Sequence, residues 1–501
     1  MKSPYLTKSR YVDGLRCEKK LWLGWHQRLP YEDALPFSVL DTGNRIGRGA
    51  WALFPDGVEV TEKPYEHEAA VVRTRELMAL DTAAIFEAAF EFENIRIRVD
   101  ILERLPDGWG LREVKSSTSA SDEKGHVDDV AVQLYVLSGA GVDVRSVELI
   151  HVNNDYRLDE GGIRWEEMLL RRDISIEANE RLAEVSGRVD EMFAILDRSD
   201  APEVYATKAL CSKPWRCDYF DHCMAAKPDD WVGLLYKIHP NRLAALRAQG
   251  IESILDIPSD FELPDKQAIA LDCLASGEIW VSDNLKQALK AFGPPAYYMD
   301  FETMAPGIPA YPGTRPYETV PCQFSVHYLD EDGVLSHAAF LADGEKHPGR
   351  EFAEALINAM DRTDIPVVVY NQGFELGVLD ALRQMFPDLA EEIGTLMKNV
   401  VDLLPLVRDH VCHPGFITKR SLNAGTYSIK NVLPALVPSM SYASLEGVAE
   451  GGEASRVLAA LAHGVYEGRE ADDYRQQLLD YCEQDTLAMV EIQRALEALA
   501  A

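Results

Sequence analysis

The stretch that most constrains this chain is Tyr297-Tyr298-Met299-Asp300-Phe301-Glu302-Thr303, which follows Pro294-Pro295. Its aromatic and apolar residues predict a buried strand, yet Asp300 and Glu302 stand two apart, so a strand projects both from one face. Adjacent carboxylates repel, and burial raises the cost, unless a positive group binds them. Two downstream pieces can complete a site for a hard divalent cation. Val367-Val368-Val369-Tyr370 is a second β-rich run, and Asn371-Gln372-Gly373-Phe374-Glu375 follows it. Near the C-terminus a helical pattern carries Tyr481 and Asp485, four apart and therefore on one face. A strand, a strand-to-helix junction and a helix can thus bring Asp300, Glu302, Glu375, Tyr481 and Asp485 together.

The chemistry that such a set supports is two-metal phosphodiester hydrolysis, with cations about 4 Å apart, one activating water and the other stabilising the leaving oxygen. Asp300 is the expected bridging ligand, and Tyr481 is expected to orient the attacking water. The motifs resemble those of the DEDD exonucleases of the ribonuclease-H-like fold, in the tyrosine-containing branch. D-F-E-T matches the first motif, N-x-x-F-E the second and Y-x-x-x-D the third. The second motif usually ends in Asp, and Glu375 sets its carboxylate one methylene further out. The pairing of D-F-E-T with Y-N-x-x-F-E is also similar to the bacterial domain of unknown function 2779, a resemblance that covers roughly residues 295–495. It implies a 3′–5′ exonuclease domain over 295–501, with Mg²⁺ or Mn²⁺ held by Asp300, Glu302, Glu375 and Asp485.

A second acidic constellation lies upstream. Between 84 and 115 the residues alternate with period two, and Pro106-Asp107-Gly108 supplies a hairpin turn. Asp100 closes one strand, Glu113 and Lys115 share a face of the next, and Glu87 precedes both, with Glu91 or Glu93 able to serve in its place. A helix is expected from about Asp128, carrying Gln133 and Tyr135, and Val147–Val152 should join the same sheet. Carboxylates so placed can bind Mg²⁺ or Mn²⁺, with the lysine orienting or deprotonating a water. The string resembles the PD-(D/E)XK nuclease fold of the RecB type, in which a Q-L-x-x-Y helix follows the lysine strand. Gln133-Leu134 matches that helix, Tyr135 stands closer than usual, and no His occupies 43–50, where many relatives carry a metal ligand. This implies a nuclease-like domain over 1–225.

The chain has eight cysteines. Cys273, Cys322, Cys412 and Cys482 read as small core residues. Cys211, Cys217 and Cys223 form C-x5-C-x5-C, and Cys17 stands alone in a basic segment. Four thiolates can hold a [4Fe–4S] cluster or structural zinc. The split, one before the nuclease core and three after it, resembles the CRISPR-associated RecB-like exonucleases and the nuclease domain of the AddAB helicase–nuclease. The resemblance implies an iron–sulfur cluster stapling the two ends of the domain, with Zn²⁺ the alternative.

A formal charge of −32 excludes a surface coated in phosphate contacts, but binding follows where charge sits rather than its sum. Residues 1–30 hold seven Lys/Arg against two Asp/Glu, and residues 205–250 hold seven against four. Those basic, aromatic segments suit single-stranded nucleic acid through phosphate attraction and base stacking. No apolar run approaches the ~20 residues of a membrane span, and Met1–Arg10 lacks the apolar core of a signal peptide. A cytoplasmic protein with no membrane partner is therefore expected. Residues 163–200 read as a long charged helix, and Pro202 and Pro214 bracket the cysteine cluster. Gly43–Ala50 fits neither a phosphate loop nor a dinucleotide turn and reads as close helix packing. Residues 226–294 read as a helical linker, with Leu243–Pro258 resembling a helix-hairpin-helix turn. The fold class expected is thus α/β: a PD-(D/E)XK nuclease-like domain, a helical middle segment and a ribonuclease-H-like domain. The function expected is a two-site DNA nuclease acting on single-stranded ends in repair, recombination or defence. The alternative is a nucleic-acid-binding scaffold with degenerate nuclease folds. Protein partners are left open.

Overall fold

The computed structural model describes residues 4–30, 34–119, 125–213, 215–418, 425–442, 445 and 447–501, so Pro214 lies outside the described residues. The chain is a mixed α/β protein of two compact units, one comprising Met1–His222 with Pro306–Tyr317 and the other Cys223–Ala305 with Glu318–Ala501. No helix among the described residues is long and apolar enough to cross a membrane.

The first unit is built on a seven-stranded sheet in the order Gly57–Glu59, Ala84–Phe92, Ile95–Leu105, Gly108–Lys115, Val144–Val152 and Leu169–Asp173, with Leu6–Thr7 added beside Ile95. Ala84–Phe92, Ile95–Leu105 and Gly108–Lys115 pair antiparallel. Their first connection is the two-residue turn Glu93-Asn94, both at positive φ, the geometry whose twist suits a tight hairpin. Gly108–Lys115 and Val144–Val152 instead run parallel, which needs a crossover, and the buried helix His126–Gly139 supplies it. Val130, Leu134 and Leu137 of that helix share one core with Ile97, Val99 and Leu111 of the sheet and with Val185, Val189 and Met192 of the helix Ser175–Leu196.

One expectation is corrected here. The stretch 163–200 is not one helix, because Leu169–Asp173 is an edge strand paired antiparallel with Val144–Val152. Its exposed Arg171-Arg172-Asp173 is the charged surface that blunts a sheet edge. At the N-terminus the extended backbone of Cys17 separates two helices, Lys8–Arg16 and Glu18–His26. Gly49 does serve close packing, since a Cβ there would stand 2.4 Å from the Trp165 ring.

The second unit carries a five-stranded sheet in the order Leu335–Leu341, Val320–Leu329, Ala296–Met304, Val367–Val369 and Val400–Asp402. The first three pair antiparallel and the last two join in parallel. One face is apolar: Tyr297, Met299 and Phe301 pack with Phe324 and Val326 against Phe352 and Leu356 of Gly349–Ala359 and Val378 and Leu379 of Gly373–Met385. The opposite face presents Tyr298, Asp300 and Glu302 opposite His327, Ser325 and Gln323. The 32-residue helix Gly468–Leu499 covers it. Gln323 Nε2 donates to the Leu478 carbonyl at 2.7 Å, and the Ser325 and Thr486 hydroxyls bond at 2.7 Å. Of the central strand's acids, Glu302 is thus buried and Asp300 half-buried under a helix.

Residues 226–294 are less helical than their periodicity predicts. They hold Pro240–Ala248, Asp265–Ser276, Leu285–Ala288 and a strand, Trp280–Val281, that pairs with Val411–Cys412. The helix-hairpin-helix resemblance fails at its second half. After Gly250, at φ +74°, the chain makes only a 3-10 turn, Ile254–Asp256. Pro258 disfavours a helical Ile257 and ends it there.

Candidate functional site

Asp300, Glu302 and Asp485 each offer a carboxylate oxygen, and these oxygens lie within 4.8 Å of one another. The strand supplies the first two at adjacent same-face positions, and the long helix supplies the third together with Tyr481, one turn earlier. Tyr442 donates its hydroxyl to Asp485 Oδ1 at 2.5 Å. The Lys430 ammonium stands 5.3 Å from the Tyr442 ring centre and 5.1 Å from that of Tyr481, and donates to the Ala449 carbonyl. The helix Gly451–Ala462 starts beside the group, since a Cβ on Gly451 would be 3.9 Å from Glu302 Oε2 and 4.0 Å from the Tyr481 oxygen.

This cluster lacks enough positive charge. Burial, and then the fields of Asp485, Glu302 and Glu375, push the Asp300 carboxyl well above the carboxylate range. Burial followed by the Asp485 field does the same to Glu302. Asp485 rises to about 6, chiefly through burial, despite the Tyr442 hydrogen bond and the Lys430 charge. Burial and the surrounding acids also push the Tyr481 phenol up, so it keeps its proton and acts as a donor. A dense set of hard oxygen donors that cannot all ionise is what Mg²⁺ or Mn²⁺ would relieve.

Glu375 occupies the first turn of Gly373–Met385, is 2 % exposed, and has one carboxylate oxygen without a hydrogen-bond partner. It lies outside the 4.8 Å group but acts on Asp300 electrostatically. Burial, with a smaller contribution from Asp402, raises its carboxyl to about 7. Asp402 closes the neighbouring parallel strand and accepts the backbone N–H groups of Asn371, Gln372 and Leu404 at 2.9, 3.1 and 2.9 Å. It therefore fixes the turn that presents Glu375. Sequence reasoning missed Lys430, Tyr442 and Asp402; of these, only Asp402 carried a signal, as an acid closing the short β-rich run Val400-Val401.

The upstream constellation also assembles, with a different charge balance. Glu113 is 1 % exposed, accepts from Lys115 Nζ at 2.7 Å and from Gln133 Nε2 at 2.8 Å, and stands 3.0 Å from Lys8 Nζ. Asp100 accepts the Val114 N–H at 2.8 Å and lies 3.3 Å from the same Lys8 ammonium. Asp129, one helical turn before Gln133, pairs with Lys115 and keeps its other oxygen buried without a partner. Glu87, at φ +57°, and Asp100 opposite it form no ladder pair, although the register continues on either side from Phe86–Ile101 to Ala88–Val99. Burial first, then Asp100, raise its carboxyl to about 7. Tyr135 points elsewhere, donating to Glu93 at 2.5 Å. Lys8 and Asp129 were not foreseen. Two lysines offset the acids here, and Glu113 is held well below the carboxylate range by Lys115 and Lys8, against its burial. Lys8 thus touches both carboxylates where a divalent ion would stand.

Cys17 separates the two N-terminal helices, and Cys211 lies in Lys208–Ser212. The Cys217 N–H donates to the Cys211 carbonyl at 2.7 Å. Next to Cys17, Arg16 donates to the Trp215 carbonyl at 2.5 Å, tying its segment to the Cys211–Cys217 loop. Cys223 belongs to the other unit. Among the described residues the sulfurs of Cys17, Cys211 and Cys217 do not close within 4.8 Å of one another, as a zinc tetrahedron with bonds of about 2.3 Å would require.

The family model for Domain of unknown function (DUF2779) matches residues 297–421, which hold Asp300, Glu302 and Glu375 but neither Tyr481 nor Asp485. No curated protein matches the chain.

Proposed function

We propose that the protein is a metal-dependent nuclease whose active centre is Asp300, Glu302, Asp485 and Tyr481, with Glu375 beside them. The observation that carries this reading is the convergence of three carboxylates, Glu302 and Asp485 buried and Asp300 half-buried, with a protonated phenol and too little positive charge to balance them. A sheet of three antiparallel and two parallel strands supports a ribonuclease-H-like exonuclease domain. Asp300, Glu302 and Asp485 would hold Mg²⁺ or Mn²⁺, with Glu375 available to a second ion. When bound, such ions generate hydroxide near neutral pH and stabilise the leaving oxygen. Tyr481 orients the attacking water as a hydrogen-bond donor. Lys430 adds the positive charge that a phosphate needs. Trp215, 51 % exposed and beside Arg16, offers a stacking surface for a single-stranded base. In the first unit, Cys17, Cys211 and Cys217 would serve an iron–sulfur cluster in preference to zinc.

Purified protein with Mn²⁺ should shorten 5′-labelled single-stranded DNA stepwise from its 3′ end. Inertness on every DNA and RNA substrate, single- or double-stranded, would overturn the reading. At the upstream site the same logic assigns Asp100, Glu113 and Lys115 a RecB-like cut, with Glu87 and Gln133 in support. The Lys8 ammonium favours the second reading there, a nuclease fold that binds nucleic acid with a self-neutralised centre. Lys8→Met, made in an Asp300→Asn background to silence the other site, should raise Mn²⁺ affinity at least about tenfold, because even ~1.4 kcal/mol of removed competition has that effect. Titration calorimetry showing no change would mean that Lys8 does not compete with a metal.

A further inference from the structure

The polar face beneath the long helix holds a second cluster of a different chemical kind. His327 on the strand Val320–Leu329, His337 on its hairpin partner Leu335–Leu341 and Glu483 on the helix each offer a ligand atom, all within 4.8 Å of one another. The two imidazoles lie with ring centres 4.5 Å apart, and His337 Nδ1 is 3.9 Å from Glu483 Oε1. Each ring is also held from behind by a hydroxyl. Thr486 Oγ1 engages His327 Nδ1 at 2.8 Å, Ser325 Oγ engages His337 Nε2 at 2.9 Å, and those hydroxyls bond to each other at 2.7 Å.

That is the arrangement in which metal-ligating histidines are found, one nitrogen fixed by an outer hydrogen bond and the other left for the ion. Thr486 occupies Nδ1 of His327 and leaves Nε2; Ser325 occupies Nε2 of His337 and leaves Nδ1. A tetrahedral zinc with bonds of about 2.1 Å separates its ligand atoms by about 3.4 Å. The shift needed from the present spacing falls to Glu483, whose half-exposed side chain can swing while both rings keep their hydroxyl partners.

The geometry points to a zinc-class site at His327, His337 and Glu483, distinct from the carboxylate centre. Two nitrogens and one carboxylate select a borderline transition ion, whereas the all-oxygen set of Asp300, Glu302 and Asp485 selects Mg²⁺ or Mn²⁺. With three protein ligands and two of them solvent-facing, water takes the fourth position. The ion ties the β-hairpin to the helix that carries Tyr481 and Asp485. It therefore holds the helix in register with Asp300 and Glu302. The inference stands whether or not the carboxylate centre cuts nucleic acid.

The test is zinc stoichiometry of the full chain after dialysis against trace Zn²⁺ with excess Mg²⁺. Wild type and Asp300→Asn should each retain one more zinc per chain than His337→Ala and Glu483→Gln, and Zn²⁺ should raise the melting temperature of the first pair only. Because both altered residues are exposed, these variants should fold, and circular dichroism checks this. His337→Ala retaining as much zinc as wild type would overturn the assignment, as would excess Mg²⁺ stripping the extra zinc from wild type.

Discussion

Asp300→Asn should abolish metal-dependent hydrolysis of a single-stranded 3′ end, lowering the rate on the order of 10³-fold, the upper range for loss of one transition-state contact. The effect should exceed the roughly 10–100-fold that losing an outer-shell partner costs, because Asp300 lies centrally among the acids that act on it, Asp485, Glu302 and Glu375. Asn preserves volume and removes only charge. The variant should therefore fold, and without metal it should be more stable than wild type, since one source of mutual repulsion is gone. Single-turnover cleavage in Mn²⁺ beside a melting curve in chelator separates the two effects. A variant that keeps wild-type activity would remove the carboxylate centre from the reaction.

The metal-free protein should lose stability as pH rises from about 4 to 7. Asp485, at about 6, and Glu375, at about 7, keep protons in the folded state that the unfolded chain releases near its ordinary carboxylate values. The folded state thus binds more protons across that window, and stability falls with rising pH by about 1.4 kcal/mol per pH unit for each proton so held. Divalent metal should reverse the trend, because binding displaces those protons and strengthens with pH. At a concentration of about 100 Kd, Mn²⁺ should add ~2.7 kcal/mol. Calorimetric melting of the full chain at a series of pH values, with chelator or Mn²⁺, checks both. In Asp300→Asn the chelated slope should flatten and the Mn²⁺ gain should shrink. A chelated melting temperature that does not change with pH in wild type would contradict the charge-uncompensated site.

Much of the strand pattern was readable because its period is two. The alternation in Ala84–Lys115 and in Ala296–Met304 states which residues share a face, and the structure keeps those faces. The helical readings at 163–200 and 226–294 erred because short apolar runs are compatible with either element. Leu169–Asp173 and Trp280–Val281 became strands through partners distant in sequence, Val144–Val152 and Val411–Cys412. No local periodicity encodes such a partner.

What the sequence by itself determined is the placement of acids on defined faces: Asp300 with Glu302 on a strand, Tyr481 with Asp485 on a helix, and Glu113 with Lys115 on another strand. Backbone periodicity fixes those relations before any packing occurs. Only the tertiary structure decided how each acidic group is balanced. Lys8 arrives from the N-terminus to neutralise Asp100 and Glu113, whereas Asp300, Glu302 and Asp485 converge with Lys430 as their nearby counter-charge. The reason is physical: a carboxylate's affinity for a proton or a metal depends on burial and on charges within a few ångströms, and those neighbours are set by folding.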